Sequence, residues 1–281
     1  HTLLKAINVV VPPGLVNPEI KNLSCDSREI EKGDLFIGLD GEKVDGGTYW
    51  AKAIEKGACA AMISKNASLL NPPTKEDPVI IIPDPVSLFL GKLAADFWGK
   101  PSSEICLIGV TGTNGKTTIS FLIEFLTSSL GYPSALFGTL INRWPNHEEA
   151  SKYTTTFAVP LQEQLSKAVH AGVEYAAMEV SSHALSQNRV AGCDFSGAIF
   201  TNLSRDHLDY HDSMESYFEA KASLFRSHLI EDDGPRSVIN IDDKWGAILA
   251  KELNKKCWTC SLKENSQTRE KADLYISNIQ I

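Results

Sequence analysis

The run Ile105-Cys-Leu-Ile-Gly-Val-Thr-Gly-Thr-Asn-Gly-Lys-Thr-Thr118 joins an unbroken apolar segment to a glycine-rich turn, a lysine and two threonines. Apolar residues at consecutive rather than alternate positions, as in Ile105–Val110, are what a parallel strand buried on both faces requires. After the turn, Thr117 to Leu130 has helical spacing and is closed by Gly131 and Pro133. Strand, glycine turn and helix in that order form the setting of a phosphate-binding loop. Glycines let backbone N–H groups turn inward around phosphate oxygens, and the helix N-terminus adds partial positive charge. Gly112, Thr113, Asn114, Gly115, Lys116, Thr117 and Thr118 are therefore the candidate nucleotide-binding residues. Lys116 would neutralise the β and γ phosphates, and the Thr117 hydroxyl would coordinate Mg²⁺. The strict pattern G-x-x-x-x-G-K-[ST] asks for glycine at position 110, where Val110 stands between Gly109 and Gly112. A glycine-rich turn with a surface lysine is the plainer reading. The agreement of strand, loop, Lys-Thr and helix favours phosphate.

Working outward, strand-like runs recur at Tyr175–Val180, Gly197–Thr201 and Ser237–Ile241, with helical patterns over Leu161–Ala171 and Met214–Phe225. Such alternation predicts an α/β domain with a mostly parallel sheet, whose ligands bind at the carboxyl ends of its strands. Upstream, strands are expected over Asp34–Leu39, Ala58–Ile63 and Val79–Ile82, and helices over Tyr49–Lys56 (stopped by Gly57) and Val86–Trp98. Gly99-Lys-Pro101 reads as the boundary. The expected architecture is a small N-terminal α/β domain, 1–99, followed by a central phosphate-loop ATPase-like domain, 100–281.

The 281 residues are 43% hydrophobic and 22% charged, which is ordinary globular composition. A net charge of −8 disfavours nucleic acid or an anionic membrane as partner. No apolar run reaches the length of a membrane span. The six cysteines are scattered, as in reduced cytoplasmic proteins. Cys257-Trp-Thr-Cys260 has redox or zinc spacing, but without a second pair two strand cysteines are the simpler reading. The chain opens on His1 and closes inside the strand-like run Asp273–Ile281, so a piece of a longer protein is expected.

Phosphoryl transfer needs metal ligands and cations near the γ-phosphate. Glu179 ends a strand and so points toward the ligand crevice. Asn202-Leu-Ser-Arg-Asp-His-Leu-Asp-Tyr-His211 is dense in ligand-type side chains, whereas a lone histidine would be structural. Lys221 lies on a predicted helix and reads, by composition alone, as a surface lysine. Asn240 follows a further strand.

Thr111–Thr118 resembles the variant ATP loop of the Mur ligases and the related folylpolyglutamate synthetases. The resemblance implies that ATP phosphorylates a substrate carboxylate and that an amine then displaces phosphate to form an amide. It implies Mg²⁺ held by Thr117, Glu179, His207 and Lys221, with Lys221 carbamylated by CO₂, and an adenine contact at Asn240. Lys116, Glu179, His207 and Lys221 would be the catalytic set. Carbamylation needs a neutral amine, so the pocket would have to lower the lysine pKa.

Leu23-Ser-Cys-Asp-Ser-Arg28 followed by Lys32-Gly-Asp-Leu-Phe-Ile37 is similar to the D-S-R…G-D-L-F pattern of Mur ligases, in which this domain holds the UDP end of the substrate. Ser27 is the implied contact. Tyr153-Thr-Thr-Thr-Phe157 is similar to a T-T-P segment with Thr156 in place of proline, implying Thr154 and Thr155 as peptide-arm contacts. Ser181–Val190 matches S-S-H-x-L-x-x-x-R-V, a segment of the branch that adds the third amino acid of the stem peptide. It implies Ser181, Gln187 and Arg189 as further substrate contacts, the guanidinium suiting a carboxylate. On the resemblance, the substrates are ATP, UDP-MurNAc-L-Ala-D-Glu and a free amino acid, meso-diaminopimelate or L-lysine. The protein would be a cytoplasmic monomer with a third, C-terminal Mur ligase domain lying beyond this sequence. Another Mur ligase, chiefly MurF, a folylpolyglutamate synthetase, or a nucleotide-binding module without ligase chemistry are the alternatives. The last predicts an N-K-x-D base-recognition signature, which the sequence lacks.

Overall fold

A computed structural model of the chain describes residues 1–12, 14–41, 44–231, 233–263 and 272–275. The chain folds as two compact units. The first comprises His1–Lys100 with Ala158–Glu163 and Gln187–Gly192, and the second comprises the remainder.

The first unit runs α1 (Thr2–Ala6), β1 (Asn22–Ser24), β2 (Asp34–Ile37), α2 (Trp50–Lys56), β3 (Ala60–Ser64), α3 (Lys65–Leu70), β4 (Val79–Ile82) and α4 (Val86–Phe97). Its sheet has the order β1-β2-β3-β4, with every pair parallel. Successive strand side chains point to opposite faces, and here both faces are apolar. Leu35, Ile37, Ala60 and Met62 pack with Leu4, Ile7, Leu90 and Leu93 on one side. Phe36, Ala61 and Ile63 pack with Trp50, Ala53 and Ala67 on the other. The strand expected at Ala58–Ile63 lies slightly later, at Ala60–Ser64, because Ser64 closes it by capping α3 through a bond from the Ala67 N–H.

From Pro101 onward the chain runs β5 (Cys106–Thr111), α5 (Lys116–Ser129), β6 (Ser134–Phe137), β7 (Ile141–Trp144), β8 (His147–Ala150), α6 (Ala158–His170), β9 (Tyr175–Glu179), α7 (Ser182–Ser186), β10 (Gly197–Phe200), α8 (Met214–Ser227), β11 (Ser237–Asn240), α9 (Lys244–Leu253), β12 (Cys257–Ser261) and β13 (Leu274–Tyr275). The sheet order is β13-β12-β11-β10-β5-β9-β6-β7-β8. It is the mostly parallel sheet expected, with two antiparallel pairings, β6 with β7 and β7 with β8. That hairpin carries little sequence signal, since every residue of β8 is exposed. Its turn rests on Asn146 in the left-handed region at φ 63°. α6 starts before the expected Leu161, with Pro160 in its first turn, where a missing N–H costs nothing. Cys257 and Cys260, three residues apart on β12, are free thiols. The strand-like tail beyond Tyr275 lies outside the described residues. No helix among the described residues is long and apolar enough to cross a membrane.

After β5 the chain crosses to β6, and β9 then returns between them. β10 takes the opposite side of β5. The direction of winding therefore reverses at β5, and in open α/β sheets such a reversal leaves a crevice at the strand ends.

Candidate functional site

The loop after β5 lies in that crevice. Gly112 has φ 145°, and a Cβ there would stand 1.9 Å from Thr201 Oγ1, so only glycine lets the turn approach the end of β10. The loop tip is clamped by the β10 exit. Thr201 Oγ1 donates to the Asn114 carbonyl at 2.6 Å, and Asn202 Oδ1 accepts from the Asn114 N–H at 3.0 Å. α5 starts at Lys116 with no side-chain cap and no acidic residue in its first turn. Its leading N–H groups thus suit an anion.

Two lysines converge on this loop. Lys116 Nζ donates to the carbonyls of Gly112 and Thr113, both at 2.9 Å, and Lys221 Nζ donates to the same Gly112 oxygen at 2.9 Å. Burial holds the Lys116 amine below its ordinary pKa, against the pull of Glu179 and Asp206. Lys221 is no surface lysine. It lies on the buried face of α8 and is 1% exposed. Burial, reinforced by the charge of Lys116 and opposed by Asp206, brings its pKa down to about 7. A substantial share of this amine is therefore neutral near neutral pH. Its Nζ also sits 4.7 Å over the ring of Tyr217, whose hydroxyl lies 3.3 Å from Thr113 Oγ1.

Glu179, wholly buried at the end of β9, accepts from Thr117 Oγ1 at 2.9 Å. Thr139 donates to it twice, from its N–H at 2.9 Å and its hydroxyl at 3.0 Å. Thr113–Thr118, Thr139, Thr154 and Glu179 line a crevice of about 240 Å³. His207 stands in another group. It takes a left-handed φ of 51° and its ring packs edge-on to His183 at 4.9 Å. Its Nε2 is 3.6 Å from Asp206. His207 and Lys221 flank one aromatic ring, since His207 also meets Tyr217 at 6.0 Å. His211 packs on Tyr217 at 5.0 Å, and its buried Nε2 has no hydrogen-bond partner.

The geometry suits a magnesium nucleotide. Thr117 and Glu179 offer hard oxygen donors, and Mg²⁺ is ordinarily held by one or two carboxylates together with substrate phosphates and water. Among the described residues no three histidine, cysteine or carboxylate side chains gather as a metal cage. The residues supply a partial shell that phosphates would complete.

The sequence-derived substrate residues are divided between the units: Ser27, Gln187 and Arg189 in the first, Thr154, Thr155 and Ser181 in the second. Ser27 sits half-buried in the turn after β1, where Asp26 accepts from the Arg28 N–H at 2.8 Å. Arg189 donates to Gln187 Oε1 from Nε at 2.9 Å and Nη2 at 2.6 Å. Thr155 is 3% exposed and its hydroxyl is spent on backbone, donating to the Glu179 carbonyl at 2.8 Å and accepting from the Ser181 N–H at 3.0 Å. Asn240 Oδ1 accepts from the Asp242 N–H at 2.9 Å. Thr139, Tyr217, Thr201 and Asn202 were not singled out from sequence. For Thr139 a signal was present: Ser134-Ala-Leu-Phe-Gly-Thr139 is an apolar run ending in Gly-Thr, the form of a strand end facing a ligand.

Residues 110–280 match the Mur ligase middle domain, and residues 19–98 match the Mur ligase family catalytic domain. A UDP-N-acetylmuramoyl-L-alanyl-D-glutamate–2,6-diaminopimelate ligase of Prochlorococcus marinus strain NATL2A is 88% identical over the whole chain, which covers 55% of that relative. A ligase of the same name from strain MIT 9313 is 53% identical over 99% of the chain and 55% of its own length. A solved structure of a ligase with this name superposes at a TM-score of 0.76 with 34% identity, over 92% of this chain and 51% of that one. The chain thus spans about half the length of the curated relatives it matches.

Proposed function

Since this chain belongs to the Mur ligase family, we propose that it is the UDP- and nucleotide-holding part of a MurE-type, ATP-dependent ligase that adds the third amino acid to UDP-MurNAc-L-Ala-D-Glu in peptidoglycan synthesis. The names of the relatives favour diaminopimelate over lysine as that amino acid. The observation that carries the reading is the convergence of Lys116 and Lys221 on the Gly112 carbonyl, beside an uncapped helix N-terminus. The Lys116 ammonium and a row of N–H donors at one point call for a polyanion, while the buried Lys221 amine beside them is held nearer its neutral form.

In this reading Gly112–Thr118 cradle the ATP phosphates, and Asn240 borders the adenine. Thr117, Glu179, His207 and a carbamylated Lys221 hold Mg²⁺. The metal, when bound, offsets charge on the transferring phosphoryl group. Burial readies Lys221 for carbamylation by favouring the neutral amine. The amine nitrogen attacks CO₂, sheds a proton to solvent, and becomes an anionic carbamate. Ser27 meets the UDP end of the substrate, and Arg189 with Gln187 meets a carboxylate of the peptide arm. Thr154 and Ser181 meet that arm, and Thr155, whose hydroxyl is spent on backbone, orders the segment beside it. The substrate carboxylate attacks the γ-phosphate and ADP leaves, and the incoming amine then displaces phosphate. No protein nucleophile takes part, so positioning and fixed charge supply the catalysis. Turnover is assigned to a protein of the relatives' full length, cytoplasmic and monomeric.

Calorimetric titration with UDP-MurNAc-L-Ala-D-Glu, with the UDP-monopeptide and UDP-tripeptide as controls, tests the reading. Saturable binding that prefers the dipeptide and weakens in Arg189→Ala is expected. A preference for the tripeptide would move the assignment to MurF. Nucleotide binding with no response to any of the three would leave a phosphate-loop module and end the ligase reading.

A further inference from the structure

Gly138 and Thr139 follow β6, and Gly138 is pressed against Glu179. A Cβ on Gly138 would stand 2.4 Å from Glu179 Oε1, so the backbone here is brought as close to the carboxylate as a chain can come. That approach gives Thr139 two of the three hydrogen bonds on the Glu179 carboxylate. Its N–H serves Oε1, its hydroxyl serves Oε2, and Thr117 supplies the third bond, also to Oε2. A carboxylate held from both oxygens cannot rotate, and its remaining lone pairs have fixed directions.

The same hydroxyl lies 3.1 Å from the hydroxyl of Thr154. A threonine hydroxyl has one proton and two acceptor positions. Thr139 is the donor in this contact as it is toward Glu179 Oε2, so its one proton lies between the two oxygens and the hydroxyl ties Thr154 to the carboxylate. Thr154 lines the crevice with Glu179 and the phosphate loop, and its own proton is left for a group that enters there.

Resting on the ligase reading above, we propose that Thr139 is a positioning residue for the reaction: it fixes the Glu179 carboxylate for the metal and holds Thr154 at the crevice wall for the peptide arm of the substrate. It couples the metal side of the crevice to the peptide side without touching the reacting atoms.

Thr139→Val tests this, because it keeps the β-branched shape and the N–H bond but removes the hydroxyl. Thr139→Ser keeps the hydroxyl. The readouts are ATP binding to this chain without magnesium, magnesium titrated into the ATP-loaded chain, and binding of UDP-MurNAc-L-Ala-D-Glu, all by calorimetry. For Thr139→Val, magnesium affinity is expected to fall about 10-fold or more, as for other groups that orient a metal ligand. Dipeptide affinity should fall several-fold and magnesium-free ATP binding should stay as in the wild type, with Thr139→Ser restoring the first two. In the full-length ligase the same variant should raise the magnesium and dipeptide requirements more than it lowers kcat. If the wild type binds both ligands and Thr139→Val matches it, the inference fails and the ligase reading stands. If Thr139→Val weakens all three bindings together with a lower Tm, and serine does not rescue them, the residue is merely structural and the inference fails likewise. If the wild-type chain binds neither magnesium-ATP nor the dipeptide, both fall.

Discussion

The two units are built by the same local rule and differ in how their strands are ordered. Each has a parallel sheet with apolar residues on both faces, Leu35/Phe36/Ile37 in the first unit and Leu107/Val110 with Ala176/Ala177/Met178 in the second. The first sheet winds in one direction, β1 to β4, and has no reversal. The second reverses at β5. The second brings buried Thr111, Glu179 and Thr201 together at neighbouring strand ends, with Lys221 reaching in from α8, whereas buried Asp34 and Ser64 in the first lie at opposite ends of their strands. Apolar patterning makes a sheet, but a reversal in strand order makes the gap in which polar groups find partners. For Glu179 the cost of burial is offset there by three bonds from two threonines.

The largest test of this contrast compares two glycines of positive φ. Gly112→Ala places a Cβ against Thr201 Oγ1, which is itself tied to Asn114, so nucleotide affinity by calorimetry should fall at least ~100-fold, about 2.7 kcal/mol. Gly99→Ala in the first unit meets nothing within 4 Å, and should cost about 1–2 kcal/mol of stability and no nucleotide affinity. Equal losses of nucleotide binding would break the comparison.

The core of the first sheet supplies the matching test of stability. Phe36→Ala should cost about 3–5 kcal/mol in urea denaturation, from a side chain only 1% exposed. Nucleotide affinity is expected to hold if the crevice depends on the second sheet alone.

Lys221→Met sharpens the contrast through pH. In the fold the Lys221 pKa is lowered to about 7 from 10.5. Below pH 7 the buried ammonium burdens the folded protein in full. Between the folded and unfolded values the unfolded chain binds more protons, so wild-type stability rises with pH. Measured in CO₂-free buffer, Lys221→Met should therefore stabilise most at pH 6, and its advantage should shrink by roughly 1 kcal/mol per pH unit above neutrality. A difference independent of pH would show that the ammonium is solvated, and that burial does not tune the amine.

Smallest are the helix caps, where the units should behave alike. Ser64→Ala uncaps α3 in the first unit and Ser213→Ala uncaps α8 in the second. Each should cost about 1 kcal/mol in denaturant midpoint analysis. Ser64 should cost the more, because its hydroxyl also donates to Asp45 at 2.6 Å.

Several elements were legible because they obey local rules. The turn after Val110, the stop at Gly57 and the apolar runs of β5, β9, β10 and β11 all appear near their expected places. The hairpin β7–β8 was not legible, because Ile141-Asn-Arg-Trp144 and His147-Glu-Glu-Ala150 have no apolar face to betray them. Candidate residues follow from sequence where a motif marks a strand end, as at Lys116 and Glu179, which line one crevice. Thr139 carried only a Gly-Thr at the end of a short apolar run, and its meaning comes from a neighbour forty positions away.

By itself the sequence determined the parallel α/β class and the glycine-rich turn with its lysine, because these rest on periodicity and on turn chemistry that operate within a few residues, while the family was legible through the resemblance of its motifs. Tertiary structure alone decided that Lys221 is buried and close to neutral, that two lysines share one carbonyl, and that Thr139 aligns Glu179 with Thr154. Desolvation and hydrogen-bond direction depend on which strands become neighbours, and strand order is set by the packing of the whole sheet.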